Sequence, residues 1–233
     1  MGNTRGHTTK WLRRLAPLLG VLILGACAAT PTKPAAPPAP APTAWEEARG
    51  FFEVGMGRLR NNDADGAIAA FTKAVELNPK LSLAYYSRAN ARHRQGDDAG
   101  AIADLTRAIE AEPTLEDAYR LRGHLRAKTG DDAGAIADLT RAVKLNPEEL
   151  LAFLERGRLR AKTGDDAGAI ADFTTAIELD PSEVTAFVQR GLLRARTGDK
   201  AGAIKDLRAA LALGIPSPEH QAAARTTLQE LER

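Results

Sequence analysis

The sequence predicts an all-α solenoid of five helix-turn-helix repeats followed by a C-terminal capping helix. Three observations predict it. The tripeptide Gly-Ala-Ile recurs at Gly66, Gly100, Gly134, Gly168 and Gly202, always 34 residues after the last copy. Pro79, Pro113, Pro147 and Pro181 keep the same period. Large and small apolar residues also fall at fixed offsets inside each period, as closely packed helices require. A fixed period of this length marks stacked helical hairpins, each burying its apolar face against its neighbours.

Residues 1–27 stand apart from the array. Arg5, Lys10, Arg13 and Arg14 precede the apolar run Leu15–Leu24, which ends in Leu24-Gly25-Ala26-Cys27. Ten residues extend about 15 Å as a helix, half of the roughly 30 Å hydrocarbon core of a bilayer. The stretch therefore reads as an export signal and not as a transmembrane span. Its end resembles a bacterial lipobox, in which a Leu and two small residues precede a Cys that becomes lipidated. The resemblance implies a signal peptide over 1–27, acylation (palmitate included) at Cys27, and firm anchoring by several acyl chains. Ala28, where an Asp would retain such a protein, implies sorting to the outer membrane, facing the periplasm. The competing reading is a buried Cys closing a core helix, but the chain beyond it offers no core.

Residues 28–43 hold six prolines among Ala and Thr. Such a stretch favours extended polyproline II and spans roughly 50 Å at about 3.1 Å per residue. It reads as a tether. The formal charge of +2 comes from the leader: without its four cations, 28 basic residues face 30 acidic ones. A near-neutral array lacks the basic footprint of a nucleic-acid binder, and nucleic acid is not an expected partner. A single Cys excludes a disulfide framework and a Cys-rich zinc site.

The five repeats occupy 44–216. Thr43-Ala44-Trp45-Glu46 reads as a capping box opening the first helix. The first helix of each later hairpin ends at Gly96, Gly130, Gly164 or Gly198, residues that accept a left-handed cap, with Asn62 in that place in the first repeat. An Asp follows each, ready to accept from the orphan amides of the second helix. Ser217-Pro218-Glu219 opens the capping helix, assigned to 217–233, with an apolar side expected at Ala222, Leu228 and Leu231.

Repeats counted from Ala48, Ser82, Glu116, Leu150 and Val184 share further markers. Position four is Phe51, Tyr85, Tyr119, Phe153 and Phe187, and position eight is Gly55, Ala89, Gly123, Gly157 and Gly191. Position twenty is always Ala, position twenty-four is Phe or Leu, and position twenty-seven is again Ala. These markers resemble the tetratricopeptide repeat (TPR) family over about 170 residues of the chain. The resemblance implies a right-handed TPR solenoid with a concave groove lined by positions two, five, nine, twelve and thirteen of each helix A.

Carried over residue by residue, the groove comprises Phe52, Met56 and Arg60 in the first repeat and Leu83, Tyr86, Asn90 and Arg94 in the second. Arg120 and Lys128 follow in the third, Leu154, Arg158 and Lys162 in the fourth, and Val188, Leu192 and Arg196 in the fifth. Position thirteen is basic throughout, and Asp117 is the one acid in the full set of groove positions. The expected groove is apolar on one edge and positive on the other, suited to an acidic or C-terminal peptide. The competing reading is that cations in a last helical turn only complement the helix dipole.

Position seven is Arg in repeats two to five (Arg88, Arg122, Arg156, Arg190), and position twenty-three is Asp in the same four (Asp104, Asp138, Asp172, Asp206). Repeat one lacks both, with Val54 and Ala70. Joint loss points to structural ion pairs within each repeat, from helix A to helix B. His93 and His124 fall on adjacent A helices, but Asp117 is the only candidate for a third ligand, so no metal site is assigned. No Ser/His/Asp set, phosphate-cradling loop or paired carboxylates can be assembled. The Asp-Asp pairs at 97–98, 131–132 and 165–166 read as helix starts.

The chain therefore reads as a non-enzyme without a cofactor. The leading expectation is a membrane-anchored scaffold that binds a protein or peptide and assists assembly of an envelope complex, resembling TPR lipoproteins that serve secretins or murein enzymes. The alternative is a structural spacer or self-associating array. Gly123–Ala142 and Gly157–Ala176, identical at seventeen of twenty positions, favour that alternative.

Overall fold

A computed structural model describes residues 43–233. The expected leader, Cys27 and all but the last residue of the tether lie outside the described residues. Among the described residues there are eleven α-helices and no strand. Five hairpins follow in chain order: α1 (Ala44–Arg60) with α2 (Ala64–Leu77), α3 (Ser82–Arg94) with α4 (Asp98–Ala111), α5 (Glu116–Lys128) with α6 (Asp132–Leu145), α7 (Leu150–Thr163) with α8 (Asp166–Leu179), and α9 (Val184–Arg196) with α10 (Lys200–Leu213). The last helix, α11 (Pro218–Leu231), packs on α9 and α10.

Local chemistry sets the breaks. Glu46 donates its backbone N–H to the Thr43 hydroxyl, and the Glu46 carboxylate accepts the Thr43 N–H at 2.7 Å, closing the capping box. Each helix B opens on an Asp whose carboxylate accepts from the backbone N–H three residues on, as Asp97 does from Gly100 at 2.8 Å. The preceding turn needs a left-handed residue, which Asn62 supplies at φ 59° and Gly164 at φ 89°.

Packing follows from side-chain size. The Ala residues at positions twenty and twenty-seven are fully buried, so the two helices of a hairpin approach closely. Phe71, Leu105, Leu139, Phe173 and Leu207 then fill the space between them, each contributing about 1.5–3 kcal/mol by burial. The fit is tight: a methyl group added at Gly55 would sit 2.5 Å from the Phe71 ring.

The docking stripe of α11 differs from expectation. Ala222 is exposed, while Ala224 is buried against Val188, Leu207, Ala210 and Ile215, with Leu228 and Leu231 beside it. Residues 224, 228 and 231 follow the i, i+4, i+7 spacing of one helical face, and residue 222 points away from it.

Odd-numbered helices touch across repeats (α1 with α3, α5 with α7, α7 with α9), and the even-numbered helices make no comparable contacts. The A helices therefore form the inner, concave surface. No described helix is long and apolar enough to cross a membrane.

Candidate protein-binding groove

The inner surface carries two apolar hollows. One, of about 200 Å³, lies between α1 and α3 and is lined by Trp45, Arg49, Phe52, Glu53, Leu81 and Leu83. Trp45 and Leu83 are exposed, and Phe52 is held by the Phe71 ring at a centroid distance of 5.8 Å. The Arg49 guanidinium lies over the Trp45 ring at 5.7 Å. The second hollow, of about 400 Å³, is bounded by Leu151, Leu154, Glu155 and Arg158 of α7, Thr185 and Gln189 of α9, and His220 of α11.

Other expected groove residues are placed less uniformly. Met56, Tyr86 and Leu192 are half-buried. Asn90 is half-buried too and donates to the Tyr86 carbonyl of its own helix at 3.1 Å. Val188 does not line the groove: it is 2% exposed and belongs to the core under α11. The capping helix covers the face that position five leaves open in earlier repeats.

The basic edge also departs from expectation. Lys128 reaches Asp98 at 2.6 Å, Lys162 reaches Asp132 at 2.7 Å, and Arg196 bonds Asp166, each partner thirty residues earlier in the chain. For Arg94 that position is Ala64, and no repeat precedes Arg60. Among the described residues, Arg60, Arg94 and Arg158 form no ion pair. The positive edge is thus neutralised in repeats three to five and open in repeats one and two. Hydrogen bonds from Lys128, and next from His93, hold the Asp98 carboxyl below its ordinary pKa.

The middle of the groove is tied by further charged contacts. His93 Nδ1 lies 2.6 Å from Asp98, His124 Nδ1 lies 2.9 Å from Glu155, and the two rings meet edge-to-face at 6.3 Å. Asp117 pairs with Arg120 at 3.1 Å. Burial, reinforced by Asp117 and Glu149, pushes the Glu116 carboxyl up. No group of three His, Cys, Asp or Glu suited to a metal occurs among the described residues.

Behind the groove runs a ladder of buried forks. Arg88 meets Asp104 at 2.6 Å, Arg122 meets Asp138 at 2.7 Å, Arg156 meets Asp172 at 2.6 Å, and Arg190 meets Asp206 at 2.7 Å. In each pair Nε and Nη2 donate to the two carboxylate oxygens, the bidentate geometry that suits guanidinium.

Two participants escaped sequence reasoning. The remaining Nη1 of each Arg donates to a threonine of the preceding repeat, Thr72, Thr106, Thr140 or Thr174. A second arginine, Arg92, Arg126, Arg160 or Arg194, also reaches the same aspartate. Both recur with the 34-residue period, which was the available signal.

A tetratricopeptide repeat model matches residues 55–116, 120–184 and 167–218. The chain belongs to the tetratricopeptide repeat family. Tetratricopeptide repeats are a protein-interaction scaffold family, and protein–protein interaction is the class of function that membership supports. No curated protein matches the chain as a relative.

Among solved TPR structures, YrrB, described as having an unusual peptide-binding site, superposes with a TM-score of 0.70 at 24% identity, covering 77% of this chain and 92% of its own. MamA gives 0.67 at 24% identity, with coverages of 72% and 92%. The first TPR of Spaghetti (RPAP3), bound to the HSP90 peptide SRMEEVD, gives 0.50 at 24% identity over 52% of this chain and 97% of its own. At these identities the likeness is one of fold.

Proposed function

We propose that this TPR chain is a membrane-anchored scaffold that captures an acidic protein segment at the N-terminal half of its groove. One observation carries the reading: the open cations Arg60 and Arg94 and the apolar hollow at Trp45, Phe52 and Leu83 belong to the same two repeats. An apolar side chain of the ligand enters the hollow, and its carboxylates face Arg60 and Arg94. Cations further along the edge already hold aspartates and contribute little.

The lipobox-like end of the leader supports attachment through acylated Cys27, in a bacterial envelope and at the periplasmic face of the outer membrane. There the array would assist assembly of an envelope complex. Co-purification from detergent-solubilised envelope tests the groove. Arg60→Glu with Arg94→Glu should lose the partner while helicity and melting stay unchanged, and Lys162→Gln should keep it. Equal recovery by wild type and the double reversal would refute the reading.

A further inference from the structure

The second apolar hollow of the groove is surrounded by one-sided chemistry. Leu151, 56% exposed, occupies in the fourth repeat the place that Leu83 has in the second. Leu154 and then Arg158 follow it along the same face of α7, at the i+3 and i+7 positions. Among the described residues Arg158 makes neither an ion pair nor a side-chain hydrogen bond, and the Gln189 amide, the Thr185 hydroxyl and the His220 ring bond no other protein group. Glu155 is the one carboxylate among these lining residues, and His124 already holds it at 2.9 Å. Unspent donors around an apolar floor suit a carboxylate carried next to an apolar side chain.

The stretch between the two hollows has the opposite character. In the third repeat every charged groove position has a partner: Asp117 with Arg120 at 3.1 Å, His124 with Glu155, and Lys128 with Asp98 at 2.6 Å. A ligand crossing this repeat meets no open charge. The open cations are grouped on either side of it, Arg60 and Arg94 in repeats one and two and Arg158 in repeat four. Both groups belong to repeats that also expose a groove leucine, Leu83 or Leu151.

We infer that the second hollow takes a second apolar residue, flanked by a carboxylate that meets Arg158, from the same partner segment that the N-terminal half of the groove captures. The inference rests on that proposed capture and adds the form of the ligand: one extended strand with two acidic, apolar clusters and an uncharged middle lying over the third repeat. The hollows are three inner-helix steps apart, from the gap between α1 and α3 to the gap between α7 and α9. At about 8–10 Å per step they are roughly 24–30 Å apart, which about eight residues of extended chain span. Joining two clusters at that spacing makes the second contact intramolecular and raises affinity, whereas a shorter join cannot reach.

Fluorescence anisotropy with the purified full chain in detergent tests this. The probe is a labelled synthetic peptide of two Asp-Leu-Asp clusters, their leucines eight residues apart and joined by Gly and Ser. It should bind at least tenfold tighter than the same peptide with one cluster changed to Gly-Ser-Gly, and a two-cluster peptide with leucines four residues apart should show no such gain. Arg158→Glu, an exposed change checked by circular dichroism, should abolish the gain, and Lys162→Gln should keep it. No gain at the eight-residue spacing, or a gain that survives Arg158→Glu, would overturn the inference. So would protection of Leu151 and His220 from hydroxyl-radical labelling before peptide is added, since another occupant would then fill the hollow. The proposed capture is judged separately, by whether Arg60→Glu with Arg94→Glu weakens the one-cluster peptide.

Discussion

Replacing Asp138 with Ala should be among the most damaging single changes in the array. Its carboxylate is 4% exposed and accepts three hydrogen bonds, from Arg122 at 2.9 and 2.7 Å and from Arg126 at 2.7 Å. The substitution leaves the Arg122 guanidinium, 9% exposed, with Thr106 as its remaining hydrogen-bond partner. An uncompensated buried charge of this kind costs about 3–5 kcal/mol. Arg122→Ala should cost less, about 1–3 kcal/mol, because Arg126 still holds the carboxylate. The double variant should then fall short of the sum of the singles by about 1–3 kcal/mol. A further variant, Arg122→Val with Asp138→Ala, copies Val54 and Ala70 and should lose less than Asp138→Ala alone, since the buried guanidinium goes with the carboxylate and the more exposed Arg126 keeps Asp131. Urea unfolding followed by circular dichroism, with the slope checked for a split transition, measures all four. A loss below about 1 kcal/mol for Asp138→Ala, typical of an exposed pair, or strict additivity in the cycle, would refute the reasoning.

Gly55→Ala should destabilise the first hairpin by about 1–3 kcal/mol through overpacking against Phe71. Gly50→Ala, with nothing within 4 Å of the added methyl, should raise stability by about 0.5–1 kcal/mol, and thermal melts would separate the two. Because the folded pKa of Asp98 is depressed, its contribution to stability is present above the ordinary carboxylate value and is lost as pH falls through the lower folded one. Lys128→Ala should move the Asp98 titration upward in NMR, and an unmoved titration would remove Lys128 as its main cause. Cys27→Ser should leave an unprocessed precursor, whereas intact mass showing a bare Cys27 thiol in native membranes would exclude the anchor.

Much of this was legible because the chain states each hairpin five times. Joint substitution at Val54 and Ala70 was enough to pair Arg88 with Asp104 on paper, since one exception among repeats carries the information of an alignment. The clasp between Asp98 and Lys128 was not seen. Asp98 follows the Asp97 cap, and a helix-start role accounted for both acids. A thirty-residue spacing between them and the next basic edge was the missed clue. Thr72 and its equivalents share the 34-residue period, but a mid-helix Thr is compatible with many environments, and its distance to an Arg is what assigns its partner. Val188 was misplaced because its burial depends on where α11 lies, and that depends in turn on Ala224 rather than Ala222 facing inward.

The rim clasps between repeats and the forks within them respond differently to dissolved ions. Exposed clasps along the inner rim, such as Lys162 with Asp132, are screened as the Debye length shrinks from about 10 Å at 0.1 M salt to about 3 Å at 1 M. The buried forks behind them are screened far less. Between the first and second repeats the rim is bridged by the neutral amide of Gln95 on Asp65 at 2.7 Å, so no cation is lost there. Added salt should therefore slacken the coil unevenly. The rim of repeats three to five becomes compliant while the first junction keeps its stiffness, like a spring clamped at its N-terminal end.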